Sequence, residues 1–283
     1  MCRILVGVIK KEFARNGLSN LVEGFIESSL RDPYLARLTS NRRESHDDGW
    51  GLAVAGFREG LLTIFHEKTA LPIFSSTSRE LLKIFVSKLG RYEESYILLH
   101  SRATGTEPLG TNNAHPYEVD FKLGKIWFVH NGSVDKLSAS QDAGLDPHLN
   151  VDSRIVAELI AKYLSTCATT CEDLDQCVTT AYEKIYNAYT RKGDALITGL
   201  LSYCARNDVR LYATSLVRDY EELDEAVKAY YSVYRVWNDG FNLISSSTLI
   251  DYYMKLSNFN KLLQQQKILR IERDSIKTLL SLD

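Results

Sequence analysis

Four positions carry side chains whose chemistry would fit together. Cys2 follows the initiating methionine. Removal of Met1 would leave it with a thiol nucleophile and a free α-amine within one side chain of each other. An α-amine titrates near pH ~8, so a useful fraction is neutral at cell pH and can take a proton, and no separate histidine base is needed. Asn131-Gly132 offers a carboxamide and a backbone N–H that could converge on a developing oxyanion. Arg102 could clamp a carboxylate with two parallel hydrogen bonds, and Asp152 could hold an ammonium. Each has a plainer reading: a buried second-position cysteine, an ordinary Asn-Gly turn, a surface ion pair and a helix cap. Taken together, a thiol with its own base, an oxyanion hole, a carboxylate clamp and an ammonium anchor describe the hydrolysis of glutamine.

The elements around these residues must hold them. Cys2 to Ile9 is almost wholly apolar and predicts a strand buried on both faces, ended by Lys10-Lys11. Phe13 to Ser19 reads as loop. Asn20 with Glu23 predicts a capped helix carrying Leu21, Val22, Phe25, Ile26 and Leu30, closed by Asp32-Pro33. A polar loop from Leu38 to Asp48 leads into strands Trp50 to Phe57 and Leu61 to His66. Thr77 with Glu80 predicts a second capped helix, ending at Gly90. Strands are expected at Tyr96 to His100 and Lys125 to His130, the latter stopping at Asn131-Gly132, with loop between Ser101 and Tyr117. A helix from Asp152 or Ser153 to Tyr163 and another from Asp173 to Tyr189 read as antiparallel partners. Strands follow at Ala195 to Tyr203, Val209 to Leu216, Tyr230 to Trp237, Phe241 to Ser246 and Ile268 to Ile271. Asn238-Asp239-Gly240 marks a hairpin, and Leu249 to Leu256 one or two helical turns. The order predicts an α+β fold, a four-layer αββα sandwich of two mostly antiparallel sheets with helices outside. The 283 residues show no repeat and no linker, so 1–283 is expected to be a single domain.

A net charge of -2 gives no reason to expect nucleic acid or an anionic membrane. No apolar run reaches the ~18–20 residues that span a bilayer, and no signal-peptide pattern is present, so the cytoplasm is expected. The five cysteines are not expected to form a secreted disulfide framework, and Cys167, Cys171 and Cys177 are expected to be reduced thiols on a helical face or loop, since a four-cysteine zinc site would need paired, closely spaced ligands and the fourth is missing. His46, His66, His100, His115, His130 and His148 contain no recognised metal-spaced pair and are expected to be structural. Neither a metal nor a cofactor is predicted.

Beyond this chemistry, the sequence resembles the class II glutamine amidotransferases, a branch of the N-terminal-nucleophile (Ntn) hydrolases, and within them the short stand-alone forms. The matching stretches run in order: Met1-Cys2-Arg3, His46-Asp47 into Asp48-Gly49-Trp50-Gly51, His100-Ser101-Arg102-Ala103-Thr104-Gly105, Asn113-Ala114-His115-Pro116-Tyr117, Phe128-Val129-His130-Asn131-Gly132, and Asp152-Ser153. The resemblance implies that Cys2 is the nucleophile, that Asn131 and Gly132 form the oxyanion hole, that Arg102 binds the glutamine carboxylate and that Asp152 meets its amine. His100, Thr104 and His115 would shape the substrate pocket, and the Asp48 to Gly51 turn would support the nucleophile strand. Tyr117 stands where Phe is usual, Arg154 where an acidic residue often follows Asp152-Ser153, and Ser246-Ser247-Thr248-Leu249 where a Ser-Glu-Pro-Leu segment is expected.

The resemblance implies a thioester intermediate and release of ammonia from glutamine. Nearly all of the chain is spent on this fold, so the ammonia would pass to a separate synthase or transferase. The alternatives are simple hydrolysis of a γ-glutamyl peptide or related amide, or a regulatory glutamine-binding module without turnover. The aromatic segment Tyr220 to Tyr253, with Tyr230, Tyr231, Tyr234, Trp237, Tyr252 and Tyr253, suggests either sheet core or a homodimer contact.

Overall fold

The computed structural model describes residues 2–105, 107–253, 267–270 and 275–279. The elements follow in chain order. They are β1 (Cys2–Lys10), α1 (Lys11–Asn16), α2 (Leu18–Leu30), α3 (Pro33–Leu38), β2 (Trp50–Arg58), β3 (Leu61–Thr69), α4 (Ser76–Leu89) and β4 (Glu94–Arg102). Then come β5 (Tyr117–Phe121), β6 (Gly124–Ser133), α5 (Lys136–Ala143), α6 (Asp152–Cys167), α7 (Leu174–Tyr189), β7 (Ala195–Cys204) and β8 (Asp208–Val217). The last are α8 (Glu225–Tyr230), β9 (Val233–Asn238), β10 (Phe241–Ser246), β11 (Lys267–Arg270) and β12 (Ser275–Leu279).

Two antiparallel sheets face each other. One runs β11-β9-β10-β1-β4-β2-β3, the other β12-β8-β7-β6-β5. Alternation along β1 explains the layering. Leu5 and Ile9 point outward to Phe13, Leu21, Phe25 and Leu82 on the helices. Ile4, Val6 and Val8 point inward to Trp127, Val129, Ile197 and Leu201 of the second sheet. That sheet's other face packs on α6 and α7 through residues such as Phe128, Ile155, Ile160, Tyr182 and Leu200. The layers are therefore helix, sheet, sheet, helix, the four-layer arrangement of the Ntn hydrolases. Gly199 stands where the two sheets face each other; a Cβ there would lie 2.5 Å from Val6 and 2.8 Å from Leu98.

Several local expectations are corrected. Phe13 to Ser19 is not loop. A six-residue helix forms without a side-chain cap because Phe13 and Ala14 are buried, Phe13 against Phe241 at 4.3 Å. The next helix starts at Leu18, ahead of Asn20; it ends at Leu30, just before Asp32-Pro33, and Asp32 also caps α3. Ser75, not Thr77, caps α4, its hydroxyl accepting from Ser78 N at 3.2 Å. The aromatic stretch at Tyr230 is the end of α8, and the strand begins at Val233. A single wide helical turn occupies Leu249–Tyr253; the remainder of the expected turn, 254–256, lies outside the described residues, as does Ile271.

The four remote cysteines are paired, against the expectation of reduced thiols. Cys167 bridges Cys177, joining the end of α6 to α7, and Cys171 bridges Cys204 at the end of β7. Their Cα atoms lie 5.7 and 5.9 Å apart, inside the range a disulfide spans. The spacing in sequence hides this, because the turn between α6 and α7 sets the approach. Disulfides persist in oxidising surroundings, so the cysteines lend no support to the cytoplasmic expectation. Among the described residues, no helix is long and apolar enough to cross a membrane.

Candidate active site

The candidate residues converge where β1, β4 and β6 end. Cys2 begins β1, buried, and stands opposite Arg102 in the antiparallel register with β4. Its backbone N donates to Asn131 Oδ1 at 2.7 Å across the gap between the sheets, and its Sγ lies 4.0 Å from Ala103 O. It is the free cysteine of the chain. The strand does not stop at Asn131-Gly132 as expected, nor is the pair the plain turn that was its alternative. The strand β6 runs on through Ser133, held by β7 in the register Asn131↔Ile197 and Gly132↔Leu196. Gly132 has no alternative side chain, since a Cβ would sit 1.8 Å from Ala195 O and 2.8 Å from His130 Nε2.

Behind these residues a cleft of ≈ 380 Å³ opens, lined by Cys2, Arg102, Thr104, His115, Gly132 and Asp152 among others. Arg102 is 4% exposed and its Nη1 has no hydrogen-bond partner among the described residues. A guanidinium is costly to bury unpaired, so this one is poised for an anion that the described residues do not supply. Its backbone is pinned: Arg102 N donates to Gly49 O (2.8 Å) and accepts Asp48 N on its own carbonyl (3.0 Å). Asp48 Oδ2 also takes Thr104 N at 2.7 Å, and Arg43 joins Asp48 Oδ2 (2.6 Å) to Thr104 O (2.6 Å). The Asp48-Gly49 turn therefore braces the Arg102–Thr104 strand end, which is paired with the nucleophile strand. Gly51 is needed close by, because a Cβ there would meet His115 O at 2.1 Å.

Asp152 opens α6 and is partly exposed. One of its oxygens accepts Ser153 N at 2.6 Å and faces Ser153 Oγ at 3.1 Å. Ser153 Oγ also meets His130 Nδ1 at 3.0 Å, while His130 Nε2 donates to Ala195 O at 2.9 Å. Arg154, which stands where an acidic residue often follows Asp152-Ser153, points to Glu158 and Glu118 O and is not in the lining. His115 lines the cleft with neither ring nitrogen partnered among the described residues. It stacks on His100 with centroids 3.8 Å apart, and its ring edges Tyr117 at 4.7 Å. Tyr117 uses the hydroxyl that Phe would lack, donating to Asn113 O at 2.8 Å. His100 lies behind the lining, its Nε2 donating to His130 O at 3.2 Å. Burial pushes His100 down to about 3 and His115 well below its ordinary value, so both are neutral. Among the described residues, no group of three or more His, Cys, Asp or Glu is placed to hold a metal ion.

Beneath the strand lies a set of contacts that the sequence reading did not anticipate. Arg3, next to Cys2, is 1% exposed and donates from Nε to Asp32 Oδ2 at 2.6 Å. Asp32 also faces His46 Nε2 at 2.7 Å and accepts Thr248 Oγ1 at 2.8 Å. Thr248 belongs to the segment that departs from Ser-Glu-Pro-Leu, and it supplies this bond. Burial would raise the Asp32 carboxyl, but the Arg3 guanidinium, with help from His46 and Thr248, holds it well below the usual carboxylate range. Burial pushes His46 down to about 4, against the pull of Asp32.

Comparison with known proteins agrees with this geometry. The family Glutamine amidotransferases class-II matches residues 35–212, and the chain belongs to that family. A solved structure described as the allosteric regulatory enzyme of purine biosynthesis is similar over 97% of this chain at 12% identity, with a TM-score of 0.52. The chain spans 48% of that enzyme's length. A predicted glutamine amidotransferase from Pseudomonas aeruginosa aligns over 87% of this chain and 80% of its own, at 13% identity and a TM-score of 0.35. A search of curated proteins returns no match.

Proposed function

We propose that this chain, read as one unit over 1–283, hydrolyses the side-chain amide of glutamine through a thioester on Cys2 after loss of Met1. The observation that carries the reading is the buried guanidinium of Arg102, with Nη1 unpartnered among the described residues, in the same cleft as the free Cys2. The α-amine of Cys2 takes the thiol proton, and the thiolate attacks the carboxamide carbon. The hydrogen bond from Cys2 N to Asn131 Oδ1 orients the amine and turns the Asn131 NH₂ away from it, towards the oxyanion, where Gly132 N–H joins it. The tetrahedral intermediate collapses, and the C–N bond breaks as the amine returns the proton to ammonia. Water then hydrolyses the thioester, releasing glutamate and restoring the thiol. Arg102 holds the α-carboxylate and Asp152 the α-ammonium.

In this reading the ammonia passes to a separate synthase or transferase. A second reading rests on the cleft's size. At ≈ 380 Å³ it lies in the range of pockets that take drug-sized ligands, which leaves room for a γ-glutamyl compound with a larger leaving amine. Turnover of glutamine against γ-glutamyl peptides, with and without candidate acceptor proteins, separates the two. No turnover of any such amide by mature protein would leave a non-catalytic glutamine-binding module.

Arg102→Ala should raise KM for glutamine by about 10–100-fold, the worth of one or two charge-assisted hydrogen bonds. Its melting temperature should hold or rise, because the variant removes a buried charge whose Nη1 has no partner among the described residues. Asp152→Asn should weaken attraction to the ammonium in the same direction. Steady-state kinetics with thermal melts decide the matter; unchanged KM in folded Arg102→Ala rules out the clamp. Asn131→Ala should instead lower kcat by about 100–1,000-fold with little change in KM, the usual cost of one oxyanion donor. An unchanged kcat there would remove Asn131 from the mechanism.

A further inference from the structure

A buried arginine directly after the nucleophile is expensive, and its contacts lead to one side chain. The Arg3 guanidinium lies 4.2 Å over the ring of Tyr230, and its Nη1 donates to Tyr230 O at 3.2 Å. Arg3 is in turn fixed by Asp32, which His46, Thr248 and the backbone N–H groups of Tyr34 and Leu35 also hold. Tyr230 is 1% exposed and ends α8, a helix far from β1 in sequence. Its hydroxyl donates to Cys2 O at 3.1 Å and stands 3.5 Å from Asn131 Oδ1. That oxygen is the one that accepts Cys2 N. One phenol therefore touches both the backbone of the nucleophile and the carboxamide proposed for the oxyanion hole.

We infer that Tyr230 is the positioning residue of the Cys2–Asn131 pair. Its hydroxyl fixes which end of the Asn131 carboxamide faces the nucleophile's nitrogen, and Arg3 with Asp32 seats its ring. The catalytic consequence rests on the proposed glutamine hydrolysis; the geometric one does not. A carboxamide has two nearly isosteric ends, and only one orientation leaves its N–H donors for an oxyanion. The single hydroxyl proton of Tyr230, shared between Cys2 O and the longer contact to Oδ1, favours that orientation. Burial raises the Tyr230 hydroxyl well above its ordinary value, so it remains a donor at any working pH. Tyr230 is not itself among the residues that line the cleft, and its hydroxyl reaches the site through Cys2 and Asn131.

The test is Tyr230→Phe, which keeps the ring on Arg3 and removes one oxygen. It should lower kcat by about 10–100-fold, as small misplacements of catalytic groups do, while KM stays within about twofold. In an Asn131→Ala background the same change should cost little more, because the group it positions is gone. Independently of activity, the Asn131 side-chain NH₂ resonances in ¹⁵N-edited NMR should shift or broaden in Tyr230→Phe. Unmoved Asn131 resonances, or an equal kcat penalty in both backgrounds, would overturn the inference. If wild-type protein hydrolyses no γ-glutamyl amide, the functional reading fails, and the NMR comparison still decides whether Tyr230 positions Asn131.

Discussion

Cys2→Ser should fold as the wild type does and lose turnover by on the order of 1,000-fold or more, because a hydroxyl is a far poorer nucleophile than a thiol beside an amine of pKa ~8. An electrophilic glutamine analogue should alkylate Cys2 of the wild type once per chain. The two disulfides change what this labelling can prove. Cys167, Cys171, Cys177 and Cys204 are paired, so modification of Cys2 alone follows from its being free. The diagnostic quantity is recognition. Glutamine or a γ-glutamyl substrate in excess should protect Cys2 from the analogue. The analogue should also outpace a simple alkylating reagent, since Arg102 and Asp152 hold its amino-acid end against the thiol. Arg102→Ala should erase that advantage and leave the rate with the simple reagent unchanged. Intact mass completes the experiment: active protein should begin at Cys2. A homogeneous, active sample that retains Met1 would sink the mechanism, and labelling indifferent to every γ-glutamyl ligand would favour the binding-module reading.

The sandwich was legible because β1, the central strand, is apolar on both faces and the helices around it are amphipathic. What stayed hidden depends on pairing across long separations. Asn131-Gly132 carries the composition of a turn, yet β7 forms a ladder along it to Ser133, and tertiary pairing overrides the local preference. Arg3 was visible only as part of a short pattern. Its role depends on Asp32, Thr248 and Tyr230, each brought in from a different element. Tyr230 looked like core or interface area; its burial against Cys2 removes it from any dimer contact. The pairing of Cys171 with Cys204 needed the end of β7 to meet the turn between α6 and α7, which no spacing rule reports. The residues quoted for Arg102, Thr104, His115 and Asp152 do come together at one cleft, while His100 supports it from behind.

The cost of this buried architecture should appear as acid sensitivity. His46, His100 and His115 are all neutral in the folded chain, His46 down to about 4, His100 to about 3 and His115 well below its ordinary value, each chiefly through burial. The unfolded chain binds a proton at each of them below about pH 6.5. Between 6.5 and the folded values the unfolded state thus holds more protons, and stability falls as pH falls. Each histidine contributes at most about 1.4 kcal/mol per pH unit, so together they approach about 4 kcal/mol per unit. Against a total of about 5–15 kcal/mol, cooperative unfolding is expected between about pH 6 and 4. Asp32 works in a different window. Its carboxyl is depressed, so its stabilisation is present above about pH 3.8 and is lost only as pH falls through its lowered value. The Arg3–Asp32 ion pair therefore does not cause the transition. Turnover should fail earlier still, since the Cys2 amine loses its proton-accepting form below about pH 8. Denaturant melts at pH 7.5, 6.5 and 5.5 measure the slope directly. His115→Phe is the sharpest variant, because neither ring nitrogen of His115 has a partner among the described residues to lose. It should keep the stack on His100 and flatten the slope by about a third. A stability that stays level from pH 7.5 to 5.5 would mean that these rings are not held neutral, and the packing described around His100 and His115 would have to be wrong.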